Sequence, residues 1–128
     1  MRRYGWFGAY EYGKYLAGFN GNMDVSFCIV NLNAKKHLNG CIASIPRSLN
    51  KLSYEIIIID NNSMDGSVEY IQDKYPSVHW IINSRNEGYT KAINQALRVS
   101  RGSYKVVLNP DSILMPDSIS KLLTFISS

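Results

Sequence analysis

Two aspartates stand where apolar runs end. Asp111 follows a strand-forming run in YKVVLNPDSIL, and Asp60 closes a run of four isoleucines in EIIIID. Pro110 has no N–H to give a ladder, so it ends its run, and it biases Asn109 toward an extended conformation. The outcome is a stiff corner holding Asp111 at a strand's C-terminal end. Asn, Pro, Asp and Ser are also turn formers, and the tripeptide by itself reads first as a turn. A carboxylate at such a corner nevertheless suits a hard divalent cation. These ions prefer oxygen ligands, and Mg²⁺ is often held by one or two carboxylates with phosphates completing the shell. The metal then neutralises charge on a departing diphosphate. Asp60 is placed to accept hydrogen bonds from a base or ribose. Asp65, in SMDGS, reads as a cap before the next helix, with Gly66 supplying backbone freedom.

The elements that must position these residues alternate. Val25–Val30 (VSFCIV) is a short apolar run suited to a strand covered on both faces. Leu38, Cys41, Ile42 and Ile45 then follow at i, i+3, i+4 and i+7, an amphipathic helix with Pro46 near its end. Glu55–Ile59 is the clearest buried strand, and Ser67 begins a helix through Tyr75, with Pro76 beyond it. Val78–Ile82 is a third strand. The stretch from Thr90 to Ser100 is helical by period, closed by Gly102. Lys105–Leu108 is a fourth strand. A last helix starts near Asp117 and carries Ile119, Leu122, Leu123 and Ile126 at helical spacing. Strand and helix alternating with short connections predict an α/β fold, a parallel β-α-β-α-β-α-β unit of Rossmann-like type. Ligands of such sheets bind beyond the carboxyl ends of the strands. Asn31 and Asn33, Asp60 to Asp65, Asn83 to Gly88, and Asn109 to Ser112 all fall on that rim.

Composition narrows the classes. The chain has 128 residues, 45% hydrophobic and 19% charged, and a net charge of +4. That is about one globular domain. The charge is mild and unclustered, which excludes a nucleic-acid stripe but welcomes an anionic ligand. Cys28 and Cys41 each lie on an apolar segment, so buried, reduced thiols and a reducing compartment are expected. No apolar run approaches a membrane span, and no secretory signal is legible. The expected address is the cytoplasm, with contact at the inner face of the membrane as a variant. Residues 1–22 are rich in Tyr and Gly and read as a poorly ordered extension, with the compact unit opening at Met23. The first loop, NLNAKK, lacks the glycines of a dinucleotide site or a P-loop. His37 and His79 stand near no G-x-S-x-G elbow.

VSFCIVNLN, IIIIDNNSMDGS, NEGYTKAIN and YKVVLNPDSILMPDSI, in this order and spacing, resemble the motifs of family 2 glycosyltransferases of the GT-A fold. The match runs from about Val25 to the C-terminus, and the NPD form is similar to rhamnosyltransferase-like enzymes of cell-surface polysaccharide synthesis. The resemblance implies a nucleotide-diphosphate sugar donor, dTDP- or UDP-linked, and a divalent metal, Mn²⁺ or Mg²⁺. It places Asn31, Asn33, Asp60, Asn86, Gly88 and Asn94 on the nucleotide side and Asp111 on the metal. Asn109 stands where a D-x-D motif has its first aspartate, so Asp111 is expected to carry the metal largely alone among side chains. Arg85 reads as an exposed loop residue.

In that family the general base and most of the glycan or lipid-linked acceptor site come after the metal motif. The 128 residues therefore resemble the nucleotide-binding half, expected to be inactive alone and prone to self-association through an uncovered sheet edge. Asp117, in MPDSI, reads as a helix N-cap. Two other classes stand beside this one. A non-catalytic nucleotide- or partner-binding module is one. A receiver-like signalling domain is the other, disfavoured because NLN and NPD occupy the places of its acidic pair and lysine.

Overall fold

The computed structural model describes residues 23–127; the extension expected over 1–22 lies outside them. Runs of β-branched residues form β1 (Val25–Asn31), β2 (Tyr54–Asp60), β3 (His79–Ile82) and β4 (Tyr104–Leu108). They make a parallel sheet in the order β3-β2-β1-β4. β1 is buried along its whole length, and β2 everywhere except Tyr54. Those two strands are central, and their continuous apolar runs reflect cover on both faces.

The helices are α1 (Lys35–Ser44), α2 (Ser67–Lys74), α3 (Tyr89–Val99) and α4 (Ser118–Ser127). Because side chains alternate along a strand, β1 and β2 feed two separate cores. Phe27, Ile29, Ile56 and Ile58 pack with Leu38 and Ile42 of α1, Ile71 of α2 and Ile119 of α4. Cys28, Val30, Ile57 and Ile59 meet Ala92, Ile93, Ala96 and Leu97 of α3. Ile57, Ile58 and Ile59 are almost wholly enclosed. Each contributes about 1.5–3 kcal/mol of transfer free energy, so β2 anchors the sheet.

Two sequence expectations change. The α4 stripe is half used: Ile119 and Leu123 are buried, while Leu122 and Ile126 are exposed together with Phe125. Here α4 packs on one sheet face, which accommodates a narrower stripe than the sequence offers. Gly102 is not a left-handed helix cap either. The helix ends at Val99 with Ser100 extended, and the glycines with positive φ among the described residues are Gly66 and Gly88. Gly102 serves close approach instead, since a Cβ there would lie 2.5 Å from the Ser26 nitrogen.

At the sheet edge opposite the strand carboxyl ends, a buried polar cluster fastens α3 to β4. Glu55 accepts hydrogen bonds from the Ser26 hydroxyl and the Arg101 N–H, both at 2.6 Å. Lys105 Nζ donates to the carbonyls of Gly102 (2.7 Å) and Ser100 (3.2 Å). Burial pushes the Lys105 pKa down to about 8, against the opposing pull of Cys28 and Glu55. Burial also pushes the Cys28 thiol up to about 12 and Cys41 up to about 11.

These shifts set an alkaline stability profile. Above pH 8 the folded chain loses the Lys105 proton while the unfolded chain keeps it to about 10.4, so stability rises with pH. Above about pH 8.5 the unfolded thiols ionise while the folded ones stay protonated, so two groups pull stability down. The urea midpoint is expected to climb just above pH 8 and to fall beyond about pH 9. Lys105→Met should remove the climb and keep the fall; a profile unchanged by that substitution would contradict this account.

Candidate active site

The strand order places β1 between β2 and β4. Connections from β1 lead outward to β2 and β3, and the chain then returns across the sheet to β4. The switch in direction falls between β1 and β4, where open α/β sheets place ligands. The loop after β1 (Leu32, Asn33, Ala34) and the corner after β4 (Asn109, Pro110, Asp111) flank that point.

Beneath the rim lies a closed polar unit. Asn31 and Asp60 are register partners at the ends of β1 and β2. Asn31 is fully buried, and its Nδ2 donates to Asp60 Oδ1 (2.8 Å), Ser67 Oγ (2.8 Å) and Ser63 Oγ (3.2 Å). Its Oδ1 accepts the Ala34 N–H at 3.3 Å. Asp60 is 1% exposed; it also accepts the Ser63 hydroxyl (2.7 Å) and the Ser63 N–H (2.8 Å). A buried carboxylate and amide satisfied this fully are fixed in place.

From that unit two loops are stitched together. Asn33 is left-handed (φ 53°); its N–H donates to Ser63 Oγ (2.9 Å) and its Oδ1 accepts the Met64 N–H (2.7 Å). Ala34, at the start of α1, offers no side-chain cap. Asp65 supplies one from the neighbouring loop, accepting the Lys35 N–H and the Ser67 N–H, each at 3.0 Å. Desolvation pushes the Asp65 pKa up, but the hydrogen bonds from Ser67 and Lys35 together outweigh it and hold it below the usual value. The cap expected from SMDGS therefore serves two helices. Asp65→Ala is expected to cost about 1–2 kcal/mol in a urea titration, the upper range for a cap because two helix starts lose an acceptor. A loss within experimental error would show that water replaces the carboxylate at both.

On the β3 side the partners are amides. Asn61, next to Asp60 and buried, donates to the Gly88 carbonyl (3.2 Å) and accepts from Asn83 Nδ2 (3.0 Å) and the Glu87 N–H (3.3 Å). Asn83 and Gln95 exchange two amide hydrogen bonds, each 2.9 Å. Asn86 Oδ1 accepts the Gly88 N–H at 2.9 Å, and Gly88 caps α3 with φ 87°. Asn94 lies further along α3, half-buried, lining a shallow cavity with Glu87, Lys91, Gln95 and Arg98. Arg85 is exposed, as expected, and pairs with Glu87 at 3.1 Å.

The corner after β4 is fastened to α1. Cys41 Sγ donates to the Asn109 carbonyl (3.7 Å), and Ser44 Oγ accepts the Leu114 N–H (3.0 Å). The negative charge of Asp111 adds to burial in raising the Cys41 pKa. Asp111 itself is exposed and makes no ion pair among the described residues. Asp117 is left-handed (φ 60°), and its backbone carbonyl accepts the Lys121 N–H. Among the described residues no three His, Cys, Asp or Glu side chains converge as metal ligands. The donor set at the rim is thus one carboxylate, which fits a hard cation whose other ligands are phosphate oxygens and water.

The sequence reading missed Asn61, Ser63, Ser67, Asn83 and Gln95, which hold the rim together. The spacing of Ser63, three residues after Asp60, was the available signal, since local side chain to backbone bonds favour it. Nothing in the sequence announced that Asn83 would meet Gln95.

The model for "Glycosyl transferase family 2" matches residues 26–128. The chain belongs to this glycosyltransferase family. It is 30% identical to a dolichol-phosphate mannosyltransferase of Pyrococcus furiosus over 109 residues, covering 83% of this chain and 31% of that protein. An abequosyltransferase of Salmonella typhimurium, RfbV, is 32% identical over 111 residues, covering 83% and 33%. Among solved structures, Staphylococcus aureus TarS 1–349 in complex with UDP superimposes with a TM-score of 0.74 at 20% identity, over 82% of this chain and 32% of that one. Mannosyltransferase PcManGT from Pyrobaculum calidifontis, in complex with GDP-Man and Mn²⁺, gives 0.67 at 16% identity, over 93% and 39%. These confirm the parallel α/β, GT-A-like architecture. The family 2 chain spans about a third of the length of both curated relatives. No helix among its described residues is long and apolar enough to cross a membrane.

Proposed function

We propose that the rim binds a nucleotide-diphosphate sugar as the donor half-site of an inverting glycosyl transfer. One observation carries this reading. Polar loops from the strand ends meet at the topological switch, with the unpaired carboxylate of Asp111 on a braced corner beside it. Asn33, Asn86 and Gly88 line the nucleotide side, Asn31 and Asp60 lie under it, and Asn94 stands behind on α3. Asp111 and the diphosphate oxygens hold a Mn²⁺ or Mg²⁺, which offsets charge on the leaving diphosphate. By the usual strand spacing, Asp60 and Asp111 stand about 10 Å apart across β1, room for a nucleoside between them.

A dTDP- or UDP-linked sugar, rhamnose among them, is the donor class proposed, and cell-surface polysaccharide synthesis the setting. The acceptor, a glycan or lipid-linked glycan, and the general base are assigned to sequence beyond Ser128. In support, the relatives' names span mannosyl and abequosyl transfer, and two structural neighbours carry UDP or GDP-Man.

The test is calorimetric titration of UDP, dTDP and GDP into residues 1–128, with and without Mn²⁺. Metal-dependent binding of at least one nucleotide is expected. A folded sample that binds none of them refutes the proposal.

A further inference from the structure

The resemblance that puts Asp60 on the nucleotide sits uneasily with its surroundings. Asp60 is 1% exposed, and its oxygens already accept three donors: Asn31 Nδ2, Ser63 Oγ and the Ser63 N–H. A base arriving from solution would have to displace one of these bonds. Asn31 is enclosed in the same way. Above them, two exposed residues hold the left-handed conformation, Asn33 (φ 53°) and Asn62 (φ 70°). Asn62 directly precedes Ser63, and the Asn33 N–H ends on Ser63 Oγ. The Asn33 carbonyl-type oxygen is engaged by Met64, which aims its NH₂ group away from that loop.

Building on the proposed donor site, we propose that Asp60 is a positioning residue: it orients Ser63, and through Ser63 the exposed amides of Asn33 and Asn62, which meet the nucleotide in its place. The chemistry supports the division. An ionised carboxylate only accepts, and here it is saturated by the loop that follows it. The two asparagines offer both donors and acceptors, so they can meet the mixed edge of a nucleobase or the hydroxyls of a ribose. Left-handed asparagine is tolerated because its short side chain bonds locally, but the conformation is strained and persists where surrounding bonds impose it. Ser63 supplies those bonds.

The test titrates UDP, dTDP and GDP with Mn²⁺ into wild type, Asp60→Asn, Ser63→Ala, the double variant, Asn33→Ala and Asn62→Ala. Amide hydrogen exchange at Asn33 and Ser63 is followed without nucleotide. Asp60→Asn and Ser63→Ala are each expected to weaken every bound nucleotide by the same factor, roughly three- to tenfold for one lost hydrogen bond. The double variant should be no weaker than the worse single one, because both act through one linkage. Exchange at Asn33 should quicken in both, and Asn33→Ala and Asn62→Ala should weaken binding.

Two results overturn the inference alone: Asp60→Asn changing the preference among bases while Ser63→Ala binds as wild type, or Asn33→Ala and Asn62→Ala both binding as wild type. Wild type binding none of the three overturns the proposed donor site and this inference with it.

Discussion

Asp111→Asn is expected to abolish the Mn²⁺-dependent part of nucleotide binding while leaving the fold unchanged. Asp111 is exposed and forms no ion pair among the described residues, so its charge supports nothing in the apo chain. Exposed substitutions of this kind stay within about 0.5 kcal/mol of wild-type stability. The metal, in contrast, has one protein carboxylate to bind at the rim, since no cluster of three candidate ligands exists among the described residues. Loss of a residue that merely supports a metal ligand already costs 10–100-fold in metal affinity, so losing the ligand itself should cost on the order of 100-fold or more. The substitution keeps size and shape and removes only charge. Calorimetry with and without Mn²⁺ would read the difference directly. Equal affinity in wild type and Asp111→Asn, at equal thermal stability, would remove Asp111 from the metal site.

Gly102→Ala should be among the most damaging single-methyl changes in the molecule. The added carbon would lie 2.5 Å from the Ser26 nitrogen, 2.6 Å from the Val25 carbonyl carbon and 2.7 Å from Ser26 Oγ. Two of those atoms are backbone of β1, the strand paired on both sides. They cannot yield without disturbing the sheet. The same shift would strain the bonds that Ser26 Oγ makes with Glu55 and the Gly102 N–H. Overpacking of a dense core typically costs 1–3 kcal/mol, and this case belongs at or above the upper end, about 3 kcal/mol. A urea midpoint shift below about 1 kcal/mol equivalent would mean that the α3–β4 connection relaxes freely, and that the cluster around Glu55 is not the rigid brace described above.

The elements were legible because their signals are local. Four isoleucines in a row can only be a covered strand in a chain of this size, and the structure buries all four. The spacing of Ala92, Ile93, Ala96 and Leu97 specified the inner face of α3, which they form. The last helix was read with equal ease but half its stripe faces outward. Periodicity reports which residues share a face, and whether anything covers that face is a separate matter. Gly102 was misread for a related reason. A glycine after a helix looks like a cap whether its role is a positive φ or a close approach, and only the neighbour across the gap, Ser26, distinguishes them.

For the site, the sequence determined the alternation of strands and helices, hence a parallel sheet whose carboxyl-end loops carry the chemistry, and the proline corner that ends β4 ahead of Asp111. Those follow from side-chain period, backbone restriction at proline and the motif order shared with family 2 glycosyltransferases. Tertiary structure alone decided the strand order β3-β2-β1-β4, which sets Asn31 beside Asp60 and puts the corner on the other side of β1. It also decided that Asp60 lies buried in bonds from Ser63 and Asn31, that Asp65 caps a helix from another loop, and that Cys41 and Ser44 brace the Asp111 corner. Each of those contacts joins residues brought together by strand order and helix packing. Such pairing is fixed by the burial of whole surfaces, a property that no short stretch of sequence carries.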